Sequence, residues 1–221
     1  MVGHVFPDLA VQIIVLNGGS SSGKSTLARE LQELLPDLWL TFGVESFIDA
    51  LPGRGDSPRA DITFRPNGDV QTAPEFSARE DLWRIGLAAM ARGGAPLILD
   101  EVFLSGGATQ TTMRATMEGL NVLWVGVHCD PAVAAGREAK RPDRVPGMAR
   151  TQAQRVHTDM RYDIEVDTTD MSPEACACAR VVAGVRHQPT APASDTPLDD
   201  PPAGRRHRTR RGPRHCLDPR W

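Results

Sequence analysis

The chain has 221 residues, of which 40% are hydrophobic, and this is enough for one α/β domain with a buried sheet. The formal net charge of −3 is uneven, because residues 1–187 carry 18 basic and 24 acidic side chains whereas residues 188–221 carry 7 and 4. This balance argues against a general nucleic-acid-binding function for the first 187 residues. The N-terminus lacks a basic segment followed by a long apolar stretch, and no apolar run approaches the roughly 18 residues that span a bilayer, so we expect a cytoplasmic protein without a membrane partner.

Apolar strand-like runs alternate along the chain with segments of helical periodicity. This order predicts βαβ units and a three-layer αβα fold with a mostly parallel sheet of five strands. The runs are largely continuous, as expected when helices cover both faces of a sheet. The predicted strands are 12–17, 39–43, 96–100, 122–129 and 163–167, and the predicted helices are 24–35, 44–51, 74–92, 108–119, 131–139, 147–157 and 173–185.

A glycine-rich turn joins the first predicted strand to the first predicted helix. Residues 18–25 read Gly-Gly-Ser-Ser-Ser-Gly-Lys-Ser, which matches the phosphate-binding pattern G-x-x-x-x-G-K-S/T and is called the P-loop below. In this pattern Lys24 reaches the β- and γ-phosphates of a nucleotide, and the Ser25 hydroxyl holds Mg²⁺. The chain has only two lysines against 23 arginines, so a lysine at this position does not follow from composition alone. We predict that ATP is bound here by Gly18, Gly19, Ser20, Ser21, Ser22, Gly23, Lys24, Ser25 and Thr26.

Two acidic residues follow the second predicted strand. Glu45 lies at its carboxyl end, where a carboxylate can accept the proton of an attacking hydroxyl. Asp49 follows one helical turn later and could orient the substrate or replace Glu45 as the base. Alternatively, both acids only favour the positive end of the helix dipole. We predict Glu45 as the catalytic base and Asp49 as a substrate-binding residue.

A short insertion lies between the second and third predicted helices. Residues 62–70 contain Asn67-Gly68 between two extended pieces, which predicts a β-hairpin. The hairpin would lie near the carboxyl ends of the strands, where open α/β sheets bind ligands. It could cover an acceptor pocket, or it could face solvent without a role in binding.

The third predicted strand ends in Asp100 and Glu101. An acid at this position beside a P-loop can orient Mg²⁺ or its water shell, so Asp100 is a predicted metal ligand together with Ser25. Glu101 could bind an acceptor hydroxyl and is a predicted substrate-binding residue. An acid at a strand end also occurs without any function.

A basic segment follows the fourth predicted strand and its helix, and it contains Arg137, Lys140, Arg141 and Arg144. Arginines on a mobile segment can close over a triphosphate, neutralise the charge that develops during transfer, and exclude water. We predict Arg141 and Arg144 as catalytic and Arg137 as ATP-binding. The alternative is a solvated basic surface.

The last 34 residues differ in composition from the rest. Residues 188–221 are rich in Pro, Ala, Asp and Arg and are predicted to be a disordered tail, after a kinase-like domain over residues 1–187. The cluster Arg205-Arg-His-Arg-Thr-Arg-Arg211 could bind nucleic acid or an acidic partner. A solvated tail without function is the favoured interpretation.

Several longer segments accompany the P-loop motif. They include Phe-Gly-Val-Glu-Ser-Phe-Ile-Asp-Ala at 42–50, Val-Leu-Trp-Val-Gly-Val at 122–127, Asp-Arg-Val-Pro-Gly-Met at 143–148 and Tyr-Asp-Ile-Glu-Val-Asp-Thr-Thr at 162–169. In this order the chain resembles the chloramphenicol phosphotransferase family, a branch of the P-loop small-molecule kinases, over about residues 12–185. The two segments at 42–50 and 122–127 are far more specific than the P-loop.

The resemblance implies ATP- and Mg²⁺-dependent phosphorylation of a small-molecule hydroxyl, that of chloramphenicol or a related antibiotic, which inactivates the drug. It implies phosphate contacts by Lys24 and Ser25, a lid with Arg141 and Arg144, and a base at position 45. The antibiotic-modifying member has aspartate where this chain has Glu45, and a shift of about an ångström in a reacting group can cost roughly 100-fold in rate. A kinase for a metabolite or nucleoside, and a nucleotide-binding regulatory protein with vestigial catalysis, remain as alternatives.

Overall fold

The computed structural model describes residues 11–52, 62–65, 69–141, 146–170 and 176–187, with side chains of the last segment described for residues 180–185. Its centre is a sheet of five parallel strands in the order β2-β5-β1-β6-β7. The strands are β1 (Ile13–Asn17), β2 (Leu40–Gly43), β5 (Leu97–Glu101), β6 (Val122–His128) and β7 (Ile164–Asp167). The predicted five-stranded parallel sheet is confirmed, with the same five segments.

Seven helices are present in the described part of the chain, and each corresponds to a predicted one. They are α1 (Lys24–Leu34), α2 (Val44–Asp49), α3 (Pro74–Arg92), α4 (Gly107–Thr116), α5 (Pro131–Glu138), α6 (Met148–Arg155) and α7 (Cys176–His187). The predicted ends differ from the observed ones by at most three residues. Helix periodicity marks the middle of an element better than its ends, where hydrogen bonds fray.

The sheet separates two apolar layers, which makes the fold three-layered. On one face, Ile14 and Leu16 of β1 pack with Leu27 and Leu31 of α1. On the other face, residues of β1 and β5 pack with the apolar sides of α3 and α4. β1 lies between β5 and β6 and all five of its residues are buried, which explains its continuous apolar run.

The predicted insertion forms an antiparallel pair, β3 (Ile62–Phe64) and β4 (Val70–Thr72), outside the main sheet. The predicted turn residues Asn67 and Gly68 lie outside the described residues, as does the predicted tail from residue 188 onward. None of the described helices is long and apolar enough to cross a membrane.

Candidate active site

The P-loop is the turn that leads from β1 into α1. Gly23, the N-cap of α1, has a φ of 94°, in the left-handed region that favours glycine. At Gly18 a Cβ atom would lie 2.5 Å from the carbonyl oxygen of Val127 in β6. Side chains at these positions would strain the turn or push it away from the sheet. The packing of the turn therefore accounts for both glycines of the motif.

The P-loop carries buried side-chain hydroxyls that the described part of the protein leaves unsatisfied. The hydroxyl oxygens of Ser20, Ser21 and Ser22 are buried and have no hydrogen-bond partner among the described residues. In the same part of the chain no side chain caps the N-terminus of α1, where Thr26 is exposed. Free N–H groups at a helix N-terminus attract an anion. The loop therefore fits the phosphate chain of a nucleotide.

Asp100, at the end of β5, lies directly beside the P-loop. Its carboxylate accepts a hydrogen bond of 2.6 Å from the Ser25 hydroxyl and lies 3.6 Å from the Nζ atom of Lys24. Lys24 is buried and also donates to the carbonyl oxygen of Gly19, at 3.0 Å. Hydroxyl and carboxylate oxygens are ligands that Mg²⁺ prefers. The sequence-predicted metal ligands are thus brought together, and they fit this ion.

Glu101 lies on the other side of β5, because successive side chains of a strand alternate. It is buried close to Arg84 of α3, whose guanidinium binds Glu80 at 2.8 Å and Asp81 at 3.2 Å. Burial raises the pKa of the Glu101 carboxyl to about 8; Arg84 opposes this shift, whereas Glu80 and Asp100 add to it. Near neutral pH the group therefore keeps its proton and can donate a hydrogen bond.

The raised pKa of Glu101 predicts a pH-dependent stability. Between pH 4.5 and 8 the folded chain holds a proton that the unfolded chain releases, so the free energy of unfolding falls as the pH rises through this window. In Glu101→Gln this contribution to the decline is expected to disappear. Urea unfolding at several pH values measures it, with Glu118→Gln, a change at an exposed glutamate, as the control. Parallel curves for the parent and Glu101→Gln would contradict the assignment.

Helix α2 starts against the backbone of Asp100. Gly43 is the register partner of Asp100, and a Cβ atom on Gly43 would overlap the carbonyl oxygen of Asp100. This close approach fixes the start of the helix beside the Ser25–Asp100 pair. Glu45 and Asp49, the predicted base and substrate-binding residue, are both exposed on this helix.

Thr168, the residue after β7, supports the P-loop through a contact with Ser22. Its hydroxyl lies 2.6 Å from the carbonyl oxygen of Ser22 and 3.0 Å from that of His128. The guanidinium of Arg137, in α5, donates to the carbonyl oxygen of Thr168 at 2.7 Å. Arg137, predicted to bind ATP, therefore approaches the loop through Thr168.

A cavity of about 430 Å³ opens at the carboxyl ends of β6 and β7. The residues that line it come from the β6–α5 and β7–α7 connections and from α6. Two of the aspartates are committed to local structure, since Asp130 caps α5 and Asp167 accepts a hydrogen bond from the N–H group of Thr169. The lining residues are His128, Cys129, Asp130, Pro131, Ala153, Gln154, Asp167, Thr169 and Asp170.

Glu138 anchors the segment that carries the predicted lid arginines. It is buried at the end of α5 and accepts hydrogen bonds of 2.8 Å from the N–H groups of Gly147 and Ala149, at the start of α6. Arg141 is exposed between these anchor points, and Arg144 lies outside the described residues. The Glu138 carboxylate therefore ties the end of α5 to the start of α6, on either side of the segment that carries these arginines.

Replacing Glu138 should destabilise the protein. Glu138→Ala removes two charge-assisted hydrogen bonds at a helix start and is expected to lower the free energy of unfolding by about 2 kcal/mol. Glu138→Gln retains one acceptor oxygen and is expected to cost about half as much. Urea unfolding at pH 7 tests both variants. An unchanged stability of Glu138→Ala would show that water replaces the carboxylate without loss.

Helix α6 also holds the P-loop, a contact that the sequence did not predict. The side-chain oxygen of Gln152 accepts a hydrogen bond of 2.8 Å from the N–H group of Ser20, and Gln152 is buried. The backbone of Ala153 packs against Gly19, where a Cβ atom would lie 3.2 Å from its nitrogen. Residues 20 and 152 are 132 positions apart, and no motif connects them.

The comparisons with known proteins agree with this geometry. The model of the family described as "Chloramphenicol phosphotransferase-like protein" matches residues 11–185. The chain belongs to this family. As a member, it is a phosphotransferase with the P-loop fold. A Mycobacterium tuberculosis H37Rv protein that is provisionally named an O-phosphotransferase is 32% identical over 170 residues, which is 72% of this chain and 75% of that protein.

Solved structures with low sequence identity share the fold. A sugar kinase from Janibacter sp. HTCC2649 has a TM-score of 0.56 at 17% identity, over 80% of this chain and 95% of that one. The tunicamycin resistance protein of Deinococcus radiodurans has a TM-score of 0.54 at 20% identity, over 79% of this chain and 95% of that one. These similarities confirm the predicted fold class.

Proposed function

We propose that this phosphotransferase moves the γ-phosphoryl group of Mg²⁺-bound ATP to a hydroxyl of a small molecule, and that the acceptor is chloramphenicol or a related antibiotic. The observation that carries the proposal is the position of Asp100. Its carboxylate contacts Ser25 on the phosphate side, while its backbone contacts Gly43 at the start of the helix that carries Glu45. The proposed phosphate site and the helix that carries the proposed base thus adjoin the same strand end.

The nucleotide would be held along the carboxyl edge of the sheet. The P-loop, with its free hydroxyls and helix N-terminus, takes the phosphates, and Ser25 and Asp100 take the metal ion. The cavity at the ends of β6 and β7 adjoins Ala153, which contacts the P-loop at Gly19, and this cavity takes the nucleoside. Arg137 stabilises the Thr168 corner between these two parts.

The reaction requires deprotonation of the acceptor and neutralisation of charge on the transferred group. Glu45 accepts the proton of the hydroxyl as its oxygen attacks phosphorus. Lys24 stabilises the negative charge on the phosphate oxygens, and Arg141 and Arg144 add positive charge from the lid and exclude water. Ser25 and Asp100 would hold Mg²⁺, which would supply positive charge that lowers the repulsion between the phosphate oxygens and the attacking oxygen.

The choice of acceptor rests on family membership and is qualified by one side chain. Glu45 places its carboxylate one methylene farther from the backbone than the aspartate of the antibiotic-modifying member. Asp49 and Glu101 are the proposed contacts to the rest of the acceptor.

A phosphorylation assay tests the proposal directly. The purified full chain is incubated with ATP, Mg²⁺ and either chloramphenicol, hydroxyl-bearing metabolites or nucleosides, and products are identified by mass spectrometry. Chloramphenicol acetylated at its primary hydroxyl is the matched control and should not react. Transfer only to metabolites or nucleosides would reject the antibiotic as the acceptor. An absence of both phosphorylated products and nucleotide binding would reject phosphotransfer altogether.

Removal of residues 188–221 separates the enzyme from the regulatory alternative. The shortened chain should retain its turnover, since the proposed site residues, including those that line the nucleoside cavity, all lie before residue 171. A nucleotide-binding protein that recruits a partner through Arg205–Arg211 would instead lose its partner and show no turnover in either form.

A further inference from the structure

One short helix contacts several parts of the site that are distant in sequence. Helix α6 binds the P-loop through Gln152 and Ala153, as described above. One residue after the end of α6, the carbonyl oxygen of Val156 accepts a hydrogen bond of 2.8 Å from the side chain of Asn17, the last residue of β1. Asn17 is fully buried and also accepts a hydrogen bond from the N–H group of Phe103. The helix is therefore attached both to the P-loop and to the end of β1.

Arg155, the last residue of α6, contacts two further segments of the chain. Arg155 donates from Nε to the carbonyl oxygen of Leu104 and from Nη1 to a carboxylate oxygen of Asp69, both at 2.9 Å. Asp69 immediately precedes β4, and its carbonyl oxygen accepts a hydrogen bond of 2.8 Å from the N–H group of Arg65. Leu104 follows the strand that ends in Asp100 and Glu101. One guanidinium thus joins α6 to the hairpin and to the loop after β5.

We propose that Arg155 is a positioning residue that couples the nucleotide site to the β3–β4 hairpin. A nucleotide that orders the P-loop also orders α6 through Gln152, and Arg155 transmits this order to the hairpin through Asp69. The inference rests on the proposed function, because it takes the hairpin as a cover of the acceptor site. It assigns a role to an insertion that the sequence left as either a cover or a solvent-facing addition.

The expected coupling is modest and reciprocal. The Arg155–Asp69 pair is partly exposed, with side-chain exposures of 47% and 31%, and such pairs change an equilibrium by about 2- to 5-fold. Because binding coupling acts equally in both directions, nucleotide should tighten acceptor binding by the same factor as acceptor tightens nucleotide binding. Arg155 is not among the residues proposed for proton transfer, so we expect the effect in the acceptor KM rather than in kcat.

Hydrogen exchange tests the coupling without any turnover. The probe is the β,γ-imido analogue of ATP with Mg²⁺, and the readout is amide exchange in peptides covering residues 62–72. In the parent, the analogue should slow exchange of the hairpin by about 2- to 5-fold. In Asp69→Asn this slowing should vanish while the affinity for the analogue stays within a factor of two. Asp69→Glu, which keeps the charge, should restore part of it.

Kinetics provide a second and independent measurement. A double-mutant cycle with Asp69→Asn and Arg155→Gln should raise the acceptor KM by about 2- to 5-fold in each single variant, with no further rise in the double variant. Additive effects in the cycle, or hairpin protection that persists in Asp69→Asn, would overturn the coupling and leave the proposed function intact. A parent chain that fails to bind the analogue would overturn the proposed function and, with it, this inference.

Discussion

Lys24→Ala is expected to lower the turnover number by roughly 10²- to 10³-fold, the cost of removing one preorganised charge from a transition state. The Lys24 ammonium is buried, 3.6 Å from the Asp100 carboxylate and 3.0 Å from the Gly19 carbonyl oxygen. It is therefore already held at the proposed phosphate site. An alanine leaves the Asp100 carboxylate without this counter-charge. The uncompensated carboxylate then also repels the incoming phosphates.

Single-turnover kinetics with saturating Mg²⁺ and ATP measure this loss. Arg29→Ala is the matched control, because Arg29 is an exposed cation on the same helix and should keep the parental rate. Lys24→Arg keeps the charge but adds bulk in a buried site, so we expect it to recover only part of the rate. A Lys24→Ala variant with more than half of the parental turnover number would remove Lys24 from the mechanism.

Glu45→Gln is expected to lower the turnover number by about 10²- to 10⁴-fold, the usual contribution of a general base. The amide has nearly the same shape as the carboxylate but cannot accept the hydroxyl proton. Nucleotide affinity should be unchanged, because Glu45 is carried by α2 rather than by the P-loop. Rate measurements are paired with titration of the imido analogue, and Glu33→Gln, an exposed change on α1, is the control.

Glu45→Asp then tests the choice of acceptor. The shorter side chain withdraws the carboxylate by about an ångström, and a displacement of this size can change a rate by roughly 100-fold. If the chain is adapted to a different alcohol, the aspartate variant should gain activity toward chloramphenicol and lose it toward the native acceptor. Parental turnover in Glu45→Gln would reject Glu45 as the base and make Asp49 the next residue to replace.

The parts of the fold that the sequence predicts well are those with a local signal. Continuous apolar runs identify the five parallel strands because both faces of the sheet are covered. The glycines and Lys24 identify the P-loop, because a phosphate-binding turn requires glycine backbone conformations and a positive charge at fixed positions. The hairpin follows from an Asn-Gly pair. The position of Asp100 beside the P-loop follows from the motif order, and its role as a metal ligand stays a prediction.

The supporting contacts have no such local signal. Gln152 holds Ser20, Thr168 holds Ser22, and Glu138 holds the start of α6, yet each is an ordinary polar residue in its own segment. Their partners depend on the path of the backbone between the elements. The raised pKa of Glu101 likewise depends on Arg84 and Glu80 of α3 and on burial, which an isolated Asp-Glu pair does not indicate.

The hydrogen bond between Thr168 and Ser22 spans 146 positions of the chain. During synthesis, the P-loop sequence leaves the ribosome long before β7 does, so the nascent chain carries the motif without its support. The P-loop gains its contact with Thr168 only after β7 has docked beside β6. A fragment that ends before Thr168 should therefore bind ATP poorly although its P-loop is intact.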